Sequence, residues 1–106
     1  MRLQDMHCSH IPPGTPAMED DEARALLAQL PGWAIREGAL RKRFAFAGYG
    51  ETVAFANAVA WIATREDHHP DMLVSYQHCE VAFSTHTVKG ISMNDFICAA
   101  RVEALL

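Results

Sequence analysis

At 106 residues the chain is one domain with room for a single hydrophobic core, and a composition 50% hydrophobic and 21% charged is ordinary for a globular protein. A net charge of -4 argues against a general nucleic-acid-binding surface. No apolar run approaches the roughly 20 residues of a membrane span, and residues 1–5 lack the apolar region of a secretory signal.

Residues 1–17 are expected to form an irregular, poorly ordered lead, because Pro12, Pro13, Gly14 and Pro16 break any regular element; the folded domain is expected over 18–106. His7-Cys8-x-His10 has metal-ligating residue types, but no second ligand pair follows, and a tail with incidental side chains explains it as well. Cys8, Cys79 and Cys98 are odd in number and widely spaced, which argues against a disulfide framework and fits a reducing, cytoplasmic compartment.

Four acids, Glu19 to Glu22, precede Ala23–Leu30, where they complement the N-terminal dipole of a first helix that Pro31-Gly32 ends. Trp33–Ile35 and Leu40–Phe46 read as two strands joined through Glu37-Gly38. In the second, Leu40, Phe44 and Phe46 share one face and Arg41 and Arg43 the other, with Lys42 interrupting the apolar face. The basic cluster Arg41–Arg43 is expected to be a solvated face, or otherwise part of an oligomer contact.

Gly48-Tyr49-Gly50 is a turn, and 51–66 is a helix on which Phe55, Val59 and Ile62 recur at i, i+4, i+7 beside the small residues Ala56, Ala60 and Ala63. The helix runs into Glu66-Asp67-His68-His69-Pro70-Asp71. Pro70 disfavours helical geometry at His69, so the helix should end here and leave two imidazoles on a corner. Such groups titrate near neutrality and exchange protons at working pH.

Met72–Tyr76 and Cys79–Thr85 read as two more strands, with His86 at the end of the second. Ser92 to Asp95 opens a last helix, and Ser92-x-x-Asp95 has the spacing of a capping box. The order α-β-β-α-β-β-α with short hairpins predicts an α+β fold: a four-stranded antiparallel sheet covered on one face by three helices. A sheet of this size is expected to bury an edge or face in an oligomer.

His68, His69 and His86 are the candidate residues for chemistry, with Asp95 a fourth. Each has a plain structural alternative. One histidine of an adjacent pair can be bonded to nearby backbone, His86 can be a polar strand end, and Asp95 can serve as a cap. Three histidines and an acid are also zinc-ligand types, but adjacent histidines chelate one ion less naturally than histidines spaced along a helix face. Cys79 and Cys98 fall inside elements and read as packing residues. Metal-free acid–base chemistry fits the set better.

The residues resemble those of the pterin-4a-carbinolamine dehydratases, also called 4a-hydroxytetrahydrobiopterin dehydratases. The likeness runs over roughly the last three quarters of the chain: Leu30-Pro31-Gly32-Trp33, Arg41 to Phe46, His68-His69-Pro70-Asp71, Tyr76, Ser84-Thr85-His86, Gly90-Ile91-Ser92 and Asp95. The resemblance implies homodimers or homotetramers that dehydrate 4a-hydroxytetrahydropterin to quinonoid dihydropterin without metal or organic cofactor, recycling the pterin of aromatic amino acid hydroxylases. By position His68, His69 and His86 match the family's three active-site histidines and Asp95 its acidic partner. Losing the C4a hydroxyl as water needs a proton donor, for which His68 is expected; His69 and His86 would orient the pterin or serve as base, Asp95 would fix an imidazole tautomer or bind the ring, and Thr85 and Pro70 are expected to be substrate-binding. The resemblance implies no membrane or direct nucleic-acid partner, although some animal members also stabilise dimers of a homeodomain transcription factor through a helix surface. That alternative role would show here as an exposed apolar stripe on the 51–66 helix.

The chain departs from the family pattern in places. Thr64 stands where many members carry glutamate, four residues before the first histidine; acids appear instead at Glu66 and Asp67. Met72 replaces a frequent aromatic, Ser92 a frequent threonine, and the lead has no evident counterpart.

Overall fold

The computed structural model describes residues 2–106; Met1, the first residue of the expected lead, lies outside them. The helices are α1 (Asp20–Leu27), α2 (Tyr49–Glu66) and α3 (Met93–Glu103), and the strands are β1 (Ala34–Arg36), β2 (Ala39–Ala45), β3 (Asp71–Val74) and β4 (His78–Phe83). The strands form one antiparallel sheet in the order β1-β2-β4-β3, and the helices lie on one face of it. Class and element order are those expected, with 3-10 turns added at Leu3–Asp5 and His86–Val88. The boundaries moved for local reasons. Helix α1 begins at Asp20, so its acids form the first turn itself, and it ends at Leu27. His86 opens a 3-10 turn after β4 instead of ending the strand.

The β1–β2 hairpin closes through Glu37 (φ 51°) and Gly38 (φ 74°), two positive-φ residues between the paired Arg36 and Ala39. This is the turn whose twist suits a two-residue hairpin. It sets the register of β2, which in turn pairs Leu40 with Phe83 and Phe44 with Cys79 across the centre of the sheet. Leu40, Cys79, Val81 and Phe83 have no exposed surface. Burying such side chains stabilises the fold by about 1.5–3 kcal/mol for each large one. Rings continue the core as a column: Phe55 lies 4.6 Å from Phe44, Phe44 5.9 Å from Trp33, and Trp33 6.3 Å from Phe83.

The basic cluster divides between the two faces of the sheet. Arg41 bonds Glu80 at 3.3 Å on the half-open face, and Arg43 is exposed. Lys42 instead lies among the covered residues, where its ammonium meets Glu103 of α3 and donates to the Pro31 carbonyl at 3.2 Å. Gly32 makes room for it: with φ at 88°, a Cβ there would sit 3.0 Å from Lys42 Cε. Lys42 therefore closes the end of the core between sheet and helix and is not part of a solvated face.

Much of the lead is irregular, as its prolines require, but its first part packs against the domain. Leu3 is buried in the core cluster, and Met6 and Cys8 lie against it. Arg101 Nε donates to the Met6 carbonyl at 2.9 Å. Asn94 brackets Ser9, accepting from its N–H at 3.1 Å and donating to its carbonyl at 2.9 Å. Short apolar anchors and backbone hydrogen bonds do here what periodicity does in the helices.

Candidate active site

Helix α2 does not run as far as Pro70. It ends at Glu66, and Asp67 turns the chain in the left-handed conformation (φ 50°, ψ 45°). The N–H groups of Asp67 and His68 both return to the Ala63 carbonyl, so the last turn is closed before the proline is reached. Aspartate tolerates this conformation better than most side chains. The result is a tight corner that separates the two imidazoles: His68 turns inward, half-buried, and His69 is exposed.

His68 is held on two sides. Its ring stacks on Phe83, the end of the aromatic column, at 6.1 Å and 10°. Its Nε2 lies 2.5 Å from Oδ1 of Asp95, which is fully buried in the first turn of α3. The other carboxylate oxygen accepts from the Thr85 hydroxyl at 2.8 Å and from the Ser92 N–H at 2.9 Å, and Ser92 Oγ lies 2.7 Å from Thr85 Oγ1. Asp95 is thus both the acidic member of the α3 capping box and the partner of His68. A carboxylate only accepts, so the Nε2 proton is the one shared with it. That leaves Nδ1 as the imidazole nitrogen without a protein partner among the described residues.

His68, His69, Pro70, Thr85 and His86 line one open cleft of about 440 Å³. Asp95 does not line it; it stands behind His68. Thr85 lines the cleft, but its hydroxyl proton is already given to Asp95. His78 begins β4 opposite Ala45 and lies outside the cleft. Thr64 is exposed one turn back on α2, with its hydroxyl bonded to the Ala60 carbonyl at 2.9 Å. Met72 packs against the core opposite Val81.

Several residues at the site were visible in the sequence without any sign of the contacts they make. The side chain of Glu66, only 5% exposed, accepts the Cys8 N–H at 2.7 Å and bonds His7 Nδ1 at 2.9 Å, with Arg101 Nε at 3.8 Å. Burial pushes its pKa up, but the Cys8 N–H, His7 and Arg101 together outweigh that and hold the carboxyl below the usual carboxylate range. Glu66 so docks the lead beside His68. Asp67 lines the cleft with its carboxylate exposed. Cys8 Sγ lies 3.5 Å from the buried Cys98 Sγ. Among the described residues no group of three or more His, Cys, Asp or Glu is arranged to hold a metal ion, and no helix is long and apolar enough to cross a membrane.

The α+β fold seats the His68 imidazole against the buried Asp95 carboxylate, beside His69 and His86 in one open cleft. Residues 16–105 match the family model described as pterin 4 alpha carbinolamine dehydratase, and the chain belongs to that family. A protein of Chromobacterium violaceum is 50% identical over 105 residues, covering 99% of this chain and 96% of its own length. One from Nitrosomonas eutropha is 47% identical over 105 residues, covering 98% of this chain and 93% of its own. Both are named provisionally as pterin-4-alpha-carbinolamine dehydratases. These alignments take in the lead, which the family model barely enters, so the lead does have counterparts. A Brucella melitensis structure described as a transcriptional coactivator/pterin dehydratase superposes with a TM-score of 0.80 at 25% identity, covering 84% of this chain and 97% of that one. A second, described as a pterin dehydratase-like RuBisCO assembly factor of the alpha-carboxysome, superposes at 0.57 with 28% identity, covering 69% of this chain and 84% of that one.

Proposed function

We propose that the protein dehydrates 4a-hydroxytetrahydropterins to quinonoid dihydropterins, with no metal or organic cofactor, as a step in pterin recycling. The observation that carries this reading is the 2.5 Å contact between His68 and buried Asp95 at the wall of a cleft shared with His69 and His86. Asp95 fixes the Nε2 proton and offsets the charge of the ring when both nitrogens are protonated. His68 then donates its Nδ1 proton to the C4a hydroxyl, the C4a–O bond breaks, and water leaves. His86 or His69 takes the N5 proton, and the N5 electron pair forms the C4a=N5 bond. Protons balance: one is delivered to oxygen and one is removed from nitrogen. Pro70 and Thr85 shape the cleft wall against the pterin, and Asp95 acts through His68 instead of touching the ring.

The protein works as a homodimer or homotetramer in the cytoplasm. The edge strand β3 supports this, since it has an open hydrogen-bonding side and Leu73 on it is 71% exposed, close to exposed Tyr76. Neither nucleic acid nor membrane is a partner.

The test is the decay of a 4a-hydroxytetrahydropterin followed by absorbance with and without purified protein. A rate that rises with protein concentration and saturates with substrate is expected; a rate equal to the buffer background refutes the reading. A second reading is a protein-binding module. Helix α2 exposes Trp61 to 62% of its surface, and both solved relatives carry non-enzymatic descriptions beside the pterin one. That reading predicts a helical partner that co-purifies with the protein and is lost on Trp61→Asp.

A further inference from the structure

Cys8 of the N-terminal lead and Cys98 of α3 are both free thiols, 90 positions apart in the chain, and their sulfurs lie 3.5 Å apart. Cys79, buried within β4, takes no part in this contact. We propose that Cys8 is a site of oxidation by hydrogen peroxide and that Cys98 resolves it, the two closing a reversible disulfide that fastens the lead to α3. The proposal stands apart from the dehydratase reading, since neither thiol lines the cleft of the histidines.

The pair is held in contact from both sides of Cys8. Before it, the Met6 carbonyl accepts from Arg101 Nε at 2.9 Å. After it, Asn94 takes both the N–H and the carbonyl of Ser9. The Cys8 N–H itself is bonded to Glu66 at 2.7 Å. Asn94 and Arg101 flank Cys98 on α3, about one turn to each side. The lead is therefore laid along the turns that carry the second thiol. A disulfide bond is about 2.05 Å long, so the sulfurs need to close by about 1.5 Å. Cys8 lies outside helix and strand, and that approach breaks no backbone ladder.

The two thiols are unequal, which sets the order of events. Cys8 is half-exposed and lines an open cleft, so a small oxidant reaches it. Cys98 has no exposed surface, and the bond to Cys8 together with burial pushes its pKa far up, so it keeps its proton. The Cys8 thiolate attacks one oxygen of hydrogen peroxide. The O–O bond breaks, Cys8 becomes a sulfenic acid, and the departing hydroxide takes up the proton that Cys8 released. The Cys98 sulfur then attacks the Cys8 sulfur. The S–O bond breaks, and the displaced hydroxide leaves as water with the Cys98 proton. The two thiols lose two electrons and the peroxide gains them, giving two waters. A sulfenic acid without such a neighbour passes on to irreversible sulfinic acid, which the buried thiol prevents here.

The experiment treats the reduced full-length protein with a small excess of hydrogen peroxide at neutral pH, then alkylates it in denaturant and maps its peptides without reduction. The wild type should lose the mass of two hydrogens, yield one linked Cys8–Cys98 peptide within a single chain, and leave Cys79 alkylated. Dithiothreitol should restore both thiols. The oxidised protein should melt about 10 °C or more above the reduced one, because the link closes most of the chain into a loop. In Cys98→Ala, Cys8 should instead gain one oxygen and be trapped by dimedone, and Cys8→Ala should show neither product. Four outcomes overturn the inference: Cys8 left unoxidised, Cys8 carrying two or three oxygens while Cys98 stays alkylatable, disulfides found only between chains, or a Cys8–Cys98 link that does not raise Tm.

Discussion

Nε2 of His68 and Oδ1 of Asp95 lie 2.5 Å apart, and the carboxylate has no exposed surface. A buried charge persists only where its oxygens are satisfied, and Asp95 has three donors: His68, Thr85 and the Ser92 N–H. Asp95→Asn keeps the shape but exchanges one acceptor oxygen for a donor, so the tautomer of His68 is no longer enforced. The expected result is a fall in kcat on the order of 10²-fold, the scale of one acid–base contribution, with a smaller change in KM. Stability should fall by about 2 kcal/mol from the disturbed capping and hydroxyl bonds. Steady-state kinetics together with urea unfolding separate the two effects.

Glu66 ties the docking of the lead to pH. Its carboxyl titrates lower in the folded protein than in the unfolded chain, because the Cys8 N–H, His7 and Arg101 outweigh the burial that opposes them. The stabilisation is therefore complete above the ordinary carboxylate value and is lost as pH falls through the lowered one. Glu66→Gln should cost about 1 kcal/mol at neutral pH. It should also flatten the acid limb of a plot of unfolding free energy against pH. An unchanged acid limb would show that the contact contributes nothing.

The cysteines should differ in reactivity. Burial pushes the Cys79 thiol up, and the bond to Cys8 together with burial pushes Cys98 far up. Both are buried, whereas Cys8 is half-exposed. An alkylating reagent at neutral pH should modify Cys8 alone in the native protein and all three thiols in denaturant. Peptide mass mapping reads the result, and modification of Cys98 before Cys8 would contradict it.

The β1–β2 turn offers a gain in stability far from the cleft. Glu37 holds φ at 51°, a left-handed conformation that its side chain does nothing to favour. Asparagine is the preferred residue at the first position of this turn. Glu37→Asn should stabilise the fold by about 0.5–1 kcal/mol and raise Tm by about 3–5 °C. Dehydration kinetics should not change.

The sheet and its covering were legible because their signals are local and redundant. The shared face of Leu40, Phe44 and Phe46, the Glu37-Gly38 turn and the i, i+4, i+7 spacing of Phe55, Val59 and Ile62 each pointed to the same arrangement. Lys42 was harder, because a cation on an apolar face has no sequence mark to say that Glu103, on another element, will meet it. The corner at His68 was legible as a corner, but Pro70 drew attention from Asp67, whose left-handed turn makes it. Asp95 illustrates the other gap. Its spacing from Ser92 announced a cap, while the bond to His68 depends on the packing of α3 against α2. The lead was least legible of all, since Leu3, Met6 and Cys8 have no period and the carboxylate that anchors them is some 60 residues away at Glu66.

The central claim is that His68 moves a proton in the loss of water from C4a. It is tested most directly by timing dehydration of a 4a-hydroxytetrahydropterin with equal concentrations of wild-type protein and His68→Ala, both confirmed folded. The account predicts acceleration by the wild type and a loss of about 10²-fold or more in the variant. A wild type no faster than buffer, or a variant as fast as the wild type, would contradict it.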